Sequence, residues 1–196
     1  MAQRARPRGT PHVASHRCAA DCAACMPVET ISRSIGRATR HKRGHATSIA
    51  GDGVMSVFGV EGTAEAAVRS ALQAALEVWK GVDILSRELA SELEAPLRVG
   101  VGIHAGTAVV GLVRTGETQA LQFLGDTGNV AAKLEAKTKD LGCTVVVSLA
   151  ALNRVVRHTA RLEPRAVAIP GKSNTIEIAA FRDTSELERI LTIADS

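Results

Sequence analysis

The stretch Gly51-Asp52-Gly53-Val54-Met55-Ser56-Val57-Phe58-Gly59 decides the reading of this chain. Gly-Asp-Gly between two apolar runs predicts a β-hairpin tip, with His45 to Ile49 leading in and Val54 to Phe58 leading out. The tip holds one carboxylate beside backbone with little side-chain bulk. Such a turn suits an acidic ligand for a metal–phosphate complex. Taken alone, an Asp-Gly turn is more often only a turn, so the flanking sequence has to decide.

Beyond the hairpin, Thr63 is placed to cap a helix, with Glu65 in its first turn. Val68, Leu72, Ala75, Trp79, Val82, Leu85 and Leu89 then recur every three or four residues, which predicts a long amphipathic helix ended before Pro96. Trp79 reads as core, and Gly81 as a loosening near the middle. Leu97, Val99, Val101 and Ile103 alternate with Arg98, Gly100, Gly102 and His104, a strand with one bare face. His104 reads as structural. Gly106 is expected to turn the chain so that Ala108 to Val113 returns as a second strand, and Ala120 to Leu124 forms a third. Gly125-Asp126-Thr127-Gly128-Asn129 opens the next helix, capped by Asp126 or Thr127 and stopped by Gly142. Asn129 and Lys133 lie four apart and share one face near its start. An amide and an ammonium at a helix N-terminus favour phosphate, although a lone lysine is more often a solvated charge. Thr144 to Val147, Arg161 to Ile169 and Asn174 to Phe181 read as closing strands. Ser148 caps a short helix, and Glu186 to Ile193 is a terminal helical segment. The order predicts an α+β fold with helices over a mostly antiparallel sheet.

Composition bounds the function. At 196 residues with 45% apolar content the chain can bury a real core. Its four large aromatics are Phe58, Trp79, Phe123 and Phe181, and there is no Tyr. That scarcity counts against base stacking on single strands, so nucleic acid is not an expected partner. The net charge of +4 divides into about +7 over residues 1–44 and −3 over the rest. Three of the four cysteines lie in the basic head, and no secretory leader is legible. A disulfide framework is therefore not expected, and a reducing cytoplasm is the default location. The longest apolar stretch, Leu97 to Val113, holds four glycines, Arg98 and His104, and reads as two strands and not a membrane span.

Residues 1–44 show no sustained period. They read as a poorly ordered basic tail. An organelle transit segment is the lesser alternative. Cys18, Cys22 and Cys25 form C-x3-C-x2-C with His12 and His16 nearby. A zinc or iron–sulfur site is chemically possible there, but the spacing matches no trusted zinc pattern.

Four blocks in order resemble the catalytic domain of class III nucleotide cyclases, the adenylate/guanylate cyclase family. They are Gly51 to Gly59, Leu97 to Gly106, Val109-Val110-Gly111, and Leu124 to Glu135. The resemblance covers half to two-thirds of the chain. It implies a ferredoxin-like fold and an enzyme that converts ATP or GTP to the 3′,5′-cyclic nucleotide and pyrophosphate for intracellular signalling. The ribose 3′-hydroxyl attacks the α-phosphate, and two divalent ions, Mg2+ or Mn2+, serve the reaction. Family sites combine residues of two chains, so a homodimer is expected. ATP is expected ahead of GTP.

By position, Asp52 is the second of the family's two metal aspartates. Asn129 matches the asparagine that positions the ribose. The family's arginine falls on Lys133, which keeps the charge and loses the forked donor geometry. Ser48 and Gln122 occupy the base-reading positions and depart from the usual residues. Gly128 replaces an expected Val. The largest departure is the first metal aspartate, which family spacing puts within the first ten or so residues. Met1 to Thr10 contain no acid, and the family's first strand is not recognisable in 1–44. Three segments are therefore expected: an aberrant or disordered head over 1–44, an incomplete cyclase domain over 45–183, and a helical tail over 184–196. A shifted reading frame or misplaced start upstream of Gly44 would account for the head. Turnover is expected to be impaired, with a non-catalytic nucleotide-binding or heterodimerising module as the alternative.

Overall fold

The computed structural model describes residues 12–19, 25–50, 53–115, 118–156, 162–171 and 174–194. The chain runs β1 (His12–Ala19), α1 (Cys25–His41), β2 (His45–Ala50), β3 (Gly53–Phe58), α2 (Ala64–Glu88), β4 (Arg98–Ala105), β5 (Val109–Thr115), β6 (Thr118–Leu124), α3 (Asp126–Leu141), β7 (Val145–Ser148), α4 (Leu149–Leu152), β8 (Arg165–Val167), β9 (Ile176–Phe181) and α5 (Thr184–Ala194). Seven strands form one sheet in the order β2-β3-β1-β4-β7-β9-β8. Only the β4–β7 pair is parallel. The fold is α+β with helices flanking a mostly antiparallel sheet, as the pattern predicts.

The two faces of the sheet follow from the alternation in β4. Val101 and Ile103 are fully buried in the main core with Val54, Phe58 and the α2 stripe Val68, Leu72 and Ala75. Gly100 and Gly102 face α3. A Cβ on Gly102 would stand 2.2 Å from the Ala131 carbonyl oxygen and 2.4 Å from the Glu135 nitrogen. The bare face of β4 is thus what seats α3 directly on the sheet. Thr63 caps α2 as expected, its Oγ1 accepting from the Ala66 N–H at 3.1 Å. Helix α2 runs unbroken through Gly81 and ends at Glu88, before Pro96.

Three expectations need correction. The clearest is the tail over 1–44. Within it, β1 pairs with both β3 and β4 at the centre of the sheet. Helix α1 buries Ile31, Ile35 and Ala38 in the main core. The physical reason is a narrow stripe: two isoleucines, one alanine and Thr39 at spacings of three and four, with arginines between. Thr39, fully buried, hydrogen-bonds the buried Ser56 hydroxyl of β3 at 2.9 Å, so a polar pair completes the contact. Residues 1–11 and 20–24, with Cys22, lie outside the described residues.

The second correction concerns β5. It does not return along β4 but pairs with β6 as a separate two-stranded hairpin. Third, neither Asp126 nor Thr127 caps α3. Its N-cap is Gly125 at φ 146°, and the Thr127 hydroxyl donates instead to the Thr107 carbonyl at 2.8 Å, tying the helix start to the end of β4. Gly142 does end α3, in the left-handed conformation. The helix expected at the end of the chain is present as α5. It packs on α2, with Leu187 and Ile190 buried, and Lys80 pairs with Glu188 between them. No helix among the described residues is long and apolar enough to cross a membrane.

Candidate functional site

The hairpin end is fixed by register. Gly53 opens β3 and pairs with Arg17 of β1, which pairs with Gly100 of β4. Asp52, one residue earlier, lies outside the described residues. Strand β1 occupies the central place where a first metal carboxylate would have to come from. Its sequence, His-Val-Ala-Ser-His-Arg-Cys-Ala, holds no acid.

The other end is built by α3. Phe58 pairs with His12, and His12 with Ala105. Thr107 follows and holds Thr127 in the first turn of α3. The helix then runs back along β4, reaching Gly102 with Ala131 and Gly100 with Thr138. Asn129 therefore sits at the Ala105 end, exposed and with no side-chain partner among the described residues. From Asn129 to Thr138 the helix rises on the order of 14 Å. The hairpin tip lies a further two strand spacings across, roughly 10 Å. One chain thus holds Gly53 and Asn129 at opposite ends of the sheet, much farther apart than reacting groups on one substrate.

Lys133 is half-buried, and its ammonium donates to the Pro170 carbonyl on the loop between β8 and β9. Ile169, just before, is buried with Val130 and Leu134 of α3, which holds that loop against the helix. The Pro170 carbonyl was not legible as a partner for Lys133, because nothing in the sequence spacing links positions 37 residues apart. Ser48 lies in β2 opposite Met55, beside a register shift between Ala46 and Ser48. Gln122 lies in β6 opposite Gly111. Strand β6 packs against β2, so Ser48 and Gln122 fall on neighbouring strands. His104 donates to or accepts from Ser148 Oγ at 2.9 Å, and Ser148 also caps α4, in keeping with a structural histidine.

Among the described residues the donor set does not fit two hard cations. Mg2+ and Mn2+ want carboxylate and other oxygen ligands. Strand β1 offers none from an acid, and no group of three or more His, Cys, Asp or Glu among the described residues is placed to hold a metal. Asp52 and Asp21 both lie outside the described residues.

Residues 13–178 match the sequence model of the adenylate and guanylate cyclase catalytic domain. The chain belongs to that class III cyclase family. An adenylate cyclase of Anabaena cylindrica is 28% identical over 151 residues, covering 74% of this chain and 29% of that protein. Adenylate cyclase 1 of Rhizobium meliloti (strain 1021) is 38% identical over 82 residues, covering 41% of this chain and 12% of that protein. This chain spans less than a third of either relative. The crystal structure of the adenylyl cyclase CyaB from P. aeruginosa superposes with a TM-score of 0.72 at 17% identity, covering 89% of this chain and 94% of that one. That likeness carries the fold.

Proposed function

We propose that this domain is a nucleotide cyclase that forms a 3′,5′-cyclic nucleotide and pyrophosphate from ATP, ahead of GTP, at sites shared between two copies of the chain, and that it turns over weakly. The observation that carries the shared site is the separation of Gly53 from Asn129 on opposite ends of one sheet. A two-fold dimer can bring the hairpin end of one copy to the α3 start of the other. In that site Asn129 orients the ribose through its amide. The Lys133 ammonium leaves the Pro170 carbonyl to meet the charge that develops on phosphate. Both named relatives are adenylate cyclases, which supports ATP as the substrate.

Weak turnover follows from the acid-free β1. Mg2+ or Mn2+, the expected cofactor, gains no carboxylate from β1 to join Asp52, and poor positioning costs rate steeply. Lysine in place of a forked guanidinium lowers it further. The same observation favours a second reading, a non-catalytic partner that binds nucleotide or pairs with a competent cyclase. Tight nucleotide binding or hetero-pairing without any turnover would establish that second reading.

Mixing two variants tests the shared site. Asp52→Ala and Asn129→Ala should each be inactive alone. Their mixture should recover about a quarter of the unmutated rate, since half of the randomly formed dimers keep one of two sites. Failure of the mixture to recover any activity, with both variants folded and dimeric, would sink the shared site.

A further inference from the structure

A second concave site lies away from Asn129 and Lys133. A cavity of about 330 Å³ opens where the carboxyl end of α3 meets the start of β4 and the middle of α2. That is within the range of small-molecule pockets, about 300–1,000 Å³. Its floor is apolar, formed by the buried Val82, Leu97 and Val99. Trp79, half-buried, forms a wall. Gly100 lets the side chains of Thr138 and Glu135 close against β4 on the α3 side of the cavity. A Cβ there would stand 2.6 Å from Thr138 Oγ1 and 2.8 Å from Glu135 Oε1.

The rim is cationic. Arg98 and Lys139 are exposed, and neither has an ion pair or side-chain hydrogen bond among the described residues. Arg182 is held in place by the Leu141 carbonyl at 3.1 Å. Of the two acids, Asp83 is already paired with Arg87 at 2.6 Å, and Glu135 is buried. The last carbonyls of α3 are turned inward as well. Lys139 and Thr138 accept from the Gly142 and Cys143 N–H groups at 3.2 and 3.0 Å. Two unspent cations therefore stand over an apolar floor and an indole.

We propose that this cavity binds a small organic anion with a flat apolar body, an aromatic carboxylate or phosphate monoester. Its charge meets Arg98 and Lys139 through charge-assisted hydrogen bonds, and its ring lies against Trp79 and Val82. The site uses none of the residues assigned to turnover. Gly100 pairs through Arg17 with Gly53, so it lies at the hairpin end of the sheet, level with the start of β3.

Trp79 is the only tryptophan and the chain has no tyrosine, so its emission reports on this cavity and on a neighbouring one lined by Lys80, Ile84 and Arg87, which lacks Arg98 and Lys139. The full chain is titrated in turn with benzoate, phenyl phosphate, inorganic phosphate and ATP. The expected result is a saturable emission change with benzoate or phenyl phosphate. The double variant Arg98→Ala, Lys139→Ala should weaken it by about tenfold or more, with circular dichroism and melting temperature unchanged. Should that variant fail to fold, Arg98→Gln at an exposed strand end carries the same test with a smaller loss. An unsaturable change, an equal response in the variant, or a response to inorganic phosphate alone would overturn the proposal. So would a response to ATP alone, which would assign the cavity to the nucleotide. Binding is read without turnover, so an inactive cyclase leaves the result interpretable.

Discussion

Strands β1 and β4 lie side by side at the centre of the sheet, paired over eight residues, and they are opposites in sequence. Strand β4 alternates branched apolar residues with glycine, so both of its faces are specified. Strand β1 carries two histidines, an arginine, a serine and a cysteine among small residues, with no apolar alternation. Its place is set by what flanks it: β3 and β4 each present an unpaired edge that a central strand must fill. The comparison teaches that a strand's position and its chemistry are separable. The slot is filled, yet the strand that fills it holds no acid.

The comparison can be broken at several points, beginning where the effect is largest. If the bare face of β4 seats α3, Gly102→Val drives a side chain into the Ala131 and Glu135 backbone. The expected cost exceeds about 3 kcal/mol, enough to abolish cooperative folding in a marginal domain. A denaturant melt close to that of the unmutated chain would refute the direct seating. If residues 25–41 belong to the core, Ile35→Ala removes a fully buried side chain and costs about 3 kcal/mol. A change near zero would return that segment to a solvated tail.

The smallest effect concerns Cys143, beside the α3 terminus. Burial pushes its thiol above the ordinary value, with Arg182 and then Arg165 pulling it partly back. The sign is that of a buried acid: the neutral form is favoured, so the thiolate appears later as pH rises. Peptide-resolved alkylation should be slow at neutral pH and still rising where a free cysteine levels off. Arg182→Ala should move that rise higher. Alkylation as fast as free cysteine at neutral pH would contradict the burial.

Much of this was legible in the sequence, and the failures share a cause. The α2 stripe, the β4 alternation, the Gly142 stop and the Thr63 cap are local patterns, and the structure keeps them. Asn129 and Lys133 do share the start of α3. What failed depended on partners distant in sequence. Strand β1 is defined by its neighbours, and α1 by a polar pair between Thr39 and Ser56. Thr127 read as a cap because the Thr107 carbonyl could not be foreseen. In the site, the ammonium of Lys133 is held by Pro170, a contact made only by the fold. Asp52 lies outside the described residues, and its role stands on the sequence blocks around it.

The proposed weak turnover rests on a central strand, β1, that holds no acid. The most direct test is formation of cyclic AMP and cyclic GMP by the full chain with Mg2+ or Mn2+, beside Asp52→Ala. The account predicts weak turnover, favouring cyclic AMP, that Asp52→Ala removes. Robust turnover by the unmutated chain would contradict it.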